Sequence, residues 1–293
     1  MPAPPSDLTF ARARTHRRPA AGRRATTIIA LLLAVAVIGY GGYRGGLAAW
    51  HRLHNQESAS SHKVSQGQLG QLKQVSPTYT DSAGFEHQRD NAPAAALVAP
   101  SHSPPPVAAT EGAILPVPYT VQAPFGNWKV HEESCEEAAL LMYRDFLLGD
   151  RRGDIPPAEA DAALRAQKAW EVQNWGAEVD LTLERTGQLA QAYWGYHYRV
   201  LPATIDSIKQ EISAGHPVIV PVMTHSLQNP HYGPKTVYHE VLVKGYNAGG
   251  VVANDAGVQE GKNWYYSWSV LFGAIDAQTP KMNQGRLALV LTT

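Results

Sequence analysis

Apolar positions are spread unevenly over the 293 residues, and their pattern changes character twice. Residues 25–43, ATTIIALLLAVAVIGYGGY, form one uncharged run close to the ~20 residues that cross a bilayer. Residues 44–112 are polar and then rich in Ala, Pro and Ser, ending in APAAALVAPSHSPPPVAAT. With so few large apolar side chains this stretch predicts a flexible linker, with a short helical stem at best around Leu47 to Leu72. From Ile114, where ILPVPYTVQAPFGNW begins, apolar runs, turns and aromatic residues succeed one another to the C-terminus. Residues 113–293 are enough for one substantial core.

Within that core the spacing predicts helices over Ser134–Leu148, Pro157–Trp170, Leu181–Tyr196 and Ile205–Ala214. Strands are expected at Tyr198–Leu201, Val218–Met223, His239–Tyr246, Val251–Asn254 and Leu287–Leu291, with a short helix at Ser269–Ile275. HEVLVKGYNAGGVVAND reads as two strands joined through Asn247, Ala248, Gly249 and Gly250, an antiparallel hairpin. Helices come first and antiparallel strands second, the order of an α+β domain. The Gly and Pro content of Arg151–Ala177 and Met223–Tyr238 suggests loops that shape a cleft.

Charge alters the picture at one end only. Formal charge balances over the chain, so the composition points to no nucleic-acid partner. Residues 1–24, however, carry Arg12, Arg14, Arg17, Arg18, Arg23 and Arg24 against the single acid Asp7. Arginines before an apolar run place the N-terminus in the cytoplasm and the rest outside, in contact with the lipid bilayer through residues 25–43. This is a single-pass signal anchor in the cell membrane. The alternative is secretion after cleavage near Ala34-Val35-Ala36.

The chain's one cysteine excludes an internal disulfide, so Cys135 is either packing or chemistry. In HEESCEEAALLMYRDF, Ser134 and Glu137 have the spacing of a capping box, which puts Cys135 in the first turn of a helix. There the helix dipole and unpaired N–H groups favour a thiolate. Glu132, Glu133, Glu136 and Glu137 oppose it, so a cationic partner is needed. His239 begins one strand of the hairpin and Asp255 follows the other, where a carboxylate could fix the imidazole tautomer while the ring moves the thiol proton. Gln122, in a turn-rich stretch, offers a side-chain NH2 to a developing oxyanion. Each residue alone has an ordinary structural explanation, and the order of all four is what counts.

Taken together, VPYTVQAPFGNW, SCEEAALLM, YHEVLVKGYN and NDAG resemble the stand-alone branch of papain-like cysteine peptidase family thirty-nine, which includes the bacteriocin leader peptidases. The resemblance implies a papain-like α+β fold, a nucleophile helix packed on an antiparallel sheet, preceded here by a single N-terminal transmembrane helix and a flexible linker. It implies catalytic Gln122, Cys135, His239 and Asp255, a peptide or protein substrate, and neither cofactor nor metal. The transporter-linked members carry an ATP-binding module, and G-x-x-x-x-G-K-[ST] does not occur in this chain. Cleavage of double-glycine leaders is therefore not implied.

Three functions compete on these residues. The first is a membrane-anchored extracytoplasmic cysteine peptidase that hydrolyses peptide or isopeptide bonds through an acyl-Cys135 thioester, with a cell-wall amidase or acyltransferase as its near relative. The second is a non-catalytic peptide-binding module whose groove uses Phe125, Trp128, Tyr232, Trp264, Tyr265, Tyr266 and Trp268. The third, a metal-dependent hydrolase, would draw on His131, His225, His231 and His239, which lack the H-E-x-x-H spacing. His131 is also the rival to His239 as base.

Overall fold

The computed structural model describes residues 60–75, 78–80, 86–88 and 112–293. The expected membrane span at 25–43 lies outside them, and among the described residues no helix is long and apolar enough to cross a membrane. In chain order the elements are β1 (Ser61–Lys63), α1 (Gln66–Leu69), β2 (Lys73–Gln74), β3 (Thr78–Thr80), β4 (Glu86–Gln88) and β5 (Ala113–Ile114). Then follow α2 (Cys135–Leu147), α3 (Pro157–Trp175), α4 (Leu183–Trp194), β6 (His197–Pro202), α5 (Ile205–Ser213) and β7 (Val218–Met223). The chain closes with β8 (Tyr238–Tyr246), β9 (Gly250–Asn254), β10 (Trp264–Ser267), α6 (Trp268–Met282) and β11 (Leu287–Thr292).

One sheet runs in the order β1-β10-β9-β8-β7-β11-β6, with β5 joining β8 beyond the end of β7 and β2 pairing with β5. Its ladders are antiparallel except β2 with β5. The expected hairpin is β8–β9. Asn247 Oδ1 accepts from the N–H groups of Gly249 and Gly250 at 2.9 and 3.0 Å, which closes the turn. Both central strands are buried along nearly their whole length, as unbroken apolar runs such as VIVPVM require.

Helix α2 contacts β8, α3 and α4. Ala138 through Tyr143 are all fully buried, so the helix is enclosed on every side. Tyr143 Oη donates to the Leu291 carbonyl and accepts from the Leu291 N–H, both at 3.0 Å, which ties α2 to β11. A rigid helix start follows from that packing. Helix α3 begins at Pro157, where a missing N–H costs nothing, and ends at Gly176 in the left-handed region with φ 83°. It starts where the helix over Pro157–Trp170 was expected and runs on to Trp175, so only the ends of Arg151–Ala177 are loop.

Two expectations are corrected. The stretch 60–75, assigned by composition to the linker, is folded: β1 pairs antiparallel with β10, and Leu72 packs with Ile114 and Val252, beside Val64 and Leu69. Covering a sheet edge needs backbone pairing more than apolar side chains, so a polar sequence suffices. The capping box at Ser134 does not form, because the Ser134 side chain makes no cap hydrogen bond and instead meets His131 Nδ1 at 3.1 Å.

Candidate active site

Alternation along β8 sends His239 to one side and Tyr238 and Glu240 to the other. Strand β9 stops at Asn254, so Asp255 stands at the start of the following turn, beside the His239 ring. His239 Nε2 lies 2.9 Å from Asp255 Oδ1. The same oxygen accepts from Tyr232 Oη at 2.6 Å and from the Gly257 N–H at 3.1 Å, and Tyr266 Oη donates to Oδ2. Burial alone would raise the Asp255 pKa. The hydrogen bond and charge of His239, with the two tyrosines, outweigh it and hold the carboxyl below the usual range. A carboxylate on Nε2 leaves Nδ1 as the nitrogen that can serve a nucleophile.

Gly261 sets the position of that carboxylate. A Cβ there would lie 1.8 Å from the Asp255 carbonyl oxygen, so only glycine lets the turn close. Gly261→Ala should lower the melting temperature, by overpacking worth about 1–3 kcal/mol, and should displace Asp255 from the ring. Thermal denaturation and the hydrolysis assay below check both effects.

Cys135 heads α2 as expected and is buried. Its thiol donates to Glu136 Oε2 at 2.8 Å and makes no hydrogen bond to His239. Burial first, then the charge and hydrogen bond of Glu136 and the charge of Glu240, push the thiol pKa well above its ordinary value, with the Glu240 backbone N–H pulling the other way. The expected thiolate-favouring effect of the helix N-terminus is therefore overridden in this state. Glu136 itself is raised to about 8, chiefly by burial, although it accepts from the thiol and, through Oε1, from the Leu181 N–H at 2.7 Å. Glu240, buried on β8, accepts from Thr186 Oγ1 at 3.0 Å and Tyr238 Oη at 3.1 Å and is also raised by burial.

The structure places Gln122 differently from the oxyanion expectation. Its Nε2 donates to the carbonyls of His131 and Glu132 at 2.9 and 3.1 Å, so both amide hydrogens are engaged, and Oε1 is buried without a partner. His131, the rival base, is fully buried with Nδ1 at Ser134 and Nε2 2.9 Å from Asp161, and it orders the loop before α2. His231 pairs with Glu260 at 3.1 Å, and among the described residues no three or more His, Cys, Asp or Glu side chains are grouped so as to hold a metal ion.

Cys135, His239 and Gln122 line one cavity of about 410 Å³. Trp128 and Tyr232 also line it, whereas Trp264, Tyr266 and Trp268 are buried in the core and Phe125 is 63% exposed. Asp180, Lys281 and Glu133 complete a charged wall that sequence reasoning missed, since Asp180 and Lys281 belong to the approaches to α4 and the end of α6. Glu136 opposes the thiolate as its place in the CEE run suggested, but its direct hydrogen bond to the sulfur was not expected.

A helix-borne cysteine shares a cavity with a strand-borne histidine that pairs with the aspartate of the following turn, within a domain of mixed helix and antiparallel sheet. The chain belongs to the Peptidase_C39 like family, whose family model matches residues 114–274. Among solved structures it is similar to a crystal structure from Bacillus anthracis assigned as a C39-like peptidase, with 17% identity and a TM-score of 0.41 over 62% of this chain and 98% of that one. No curated protein matches it.

Proposed function

We propose that the domain is a cysteine peptidase that hydrolyses peptide or isopeptide bonds through an acyl-Cys135 thioester. The observation that carries this reading is that the chain's one thiol and His239, whose ring is bonded to the buried Asp255, line the same cavity. In the forward step His239 Nδ1 takes the Cys135 proton, the sulfur attacks the scissile carbonyl, and the imidazolium protonates the leaving amine. Asp255 fixes the ring and stabilises its charged form. The backbone N–H of Cys135, a first-turn donor with no partner within the helix, meets the oxyanion, and Gln122 joins only if its amide gives up one loop carbonyl. Water then hydrolyses the thioester with His239 again as base.

Residues 25–43 supply the membrane anchor in this proposal, with the N-terminus cytoplasmic and the peptidase outside. The test is hydrolysis of casein and of peptidoglycan by the full chain and by Cys135→Ala. Release of peptides by the former alone supports the reading, and equal release by both would end it. A non-catalytic peptide-binding module on the same fold is the second reading, favoured by the thiol's bond to Glu136 in place of His239. A biological effect that survives Cys135→Ala would select it.

A further inference from the structure

We propose that Glu136 is a positioning residue that parks the Cys135 thiol in a protonated resting state, so that the site is idle until the sulfur turns from Glu136 to His239. The inference rests on the peptidase reading above. Glu136 is a bracket between two parts of the chain, with Oε2 taking the thiol proton bond at 2.8 Å and Oε1 taking the Leu181 N–H at 2.7 Å. Its side chain is almost fully buried, so water does not compete for either bond. A carboxyl oxygen accepting from a thiol keeps the proton on sulfur, the reverse of what a nucleophile needs.

The alternative position of the sulfur is at hand. The backbone N–H of Glu240, the residue after His239, already favours the thiolate, and His239 shares the cavity wall with Cys135. Turning about the Cys135 Cα–Cβ bond breaks the S–H bond to Glu136 and makes one to Nδ1. The proton then passes to the ring, which leaves a thiolate and an imidazolium while Glu136 keeps its bond from Leu181. No other proton changes place. Leu181 follows Asp180, which lines the cavity, so a bound peptide presses on the segment that anchors Glu136.

Other charged groups face this pair. Glu240 and Tyr238 on β8, Glu137 on α2 and Asp180 before α4 act on Cys135 or Glu136, and Tyr232 comes from the loop before β8. A parked thiol must therefore be told apart from a thiol that merely sits among acids. Because the chain has one cysteine, alkylation of the full-length protein by iodoacetamide, followed by intact mass, reports Cys135 alone. Rates are measured from about pH 5 to about pH 10 on the wild type, Glu136→Gln and Glu240→Gln.

The wild type is expected to show a midpoint above the ~8.5 of a free thiol. Glu136→Gln should lower that midpoint by about one pH unit or more and raise the rate at neutral pH about tenfold, with a smaller shift in Glu240→Gln. A wild-type midpoint below the free-thiol range would overturn the proposal whether or not the variants fold, and so would equal shifts in the two variants. Casein hydrolysis by the wild type separates this idea from the reading it rests on. A lowered Glu136→Gln midpoint without any hydrolysis keeps the parked thiol and removes the peptidase, whereas hydrolysis with an unmoved midpoint does the opposite.

Discussion

Replacing His239 with alanine is expected to lower kcat/KM for peptide hydrolysis by about 10²–10⁴-fold, the range of a general acid–base group. The loss should lie toward the upper end. Burial and Glu136 hold the thiol proton in place, so without the imidazole the sulfur stays in its protonated state. The fold should persist, because Asp255 keeps Tyr232, Tyr266 and the Gly257 N–H when the ring is removed. A fall of a few degrees in melting temperature accompanies the loss of one hydrogen bond to a buried carboxylate, worth about 1.5–3 kcal/mol. Steady-state kinetics and a thermal scan on one preparation check both parts. Hydrolysis within a factor of about three of wild type would remove His239 from the mechanism, since that is under 1 kcal/mol of barrier.

Much of this geometry was legible before any coordinates. The β8–β9 hairpin follows from Asn247, Gly249 and Gly250 between two apolar runs, and once the hairpin is drawn, His239 and Asp255 can only fall near the same end. Helix boundaries came through where punctuation is strong, as at Pro157 or at Thr204, whose side chain caps α5. Residues 60–75 were illegible because their contribution is a backbone ladder to β10, which leaves no trace in side-chain periodicity. Strand β10 was equally hidden, since four residues of WYYS are too short a run to show alternation.

At the site, the sequence pattern named groups but not their partners. Gln122 was a reasonable donor until its hydrogens proved to face two loop carbonyls. Ser134 had the spacing of a cap, yet His131 competes for its hydroxyl, and hydrogen bonds to a buried histidine cannot be counted from spacing. The acids around Cys135 were read as opposing the thiolate, which Glu136 does. In the fold, Glu136, Glu137 and Glu240 are buried, and burial turns them from surface charge into proton carriers.

Those same acids predict that the domain loses stability as pH rises from about 4.3 to about 8. Glu136 is raised by burial to about 8, above the ~4.3 of an unfolded glutamate. Its contribution is therefore complete below the unfolded value and disappears as pH climbs through the folded one, because across that window only the folded state keeps the proton. The slope is roughly 1.4 kcal/mol per pH unit for each such group, or about 3–6 °C in melting temperature for a domain of this size. Glu137 and Glu240 are shifted the same way by burial and extend the effect. Asp255 has the opposite sign. It is held below the ordinary carboxylate range, so its contribution exists above the unfolded value and is lost as pH falls through the folded one. Melting temperature should thus peak in the mildly acidic range, and Glu240→Gln should flatten the alkaline side. A melting temperature that stays level or rises between about pH 5 and about pH 8 at constant ionic strength would contradict neutral acids beneath the nucleophile. The consequence for the chemistry is a conflict within one cluster: the carboxyls are most comfortable where the thiol is least ionised, so turnover should rise with pH until loss of the folded state overtakes it.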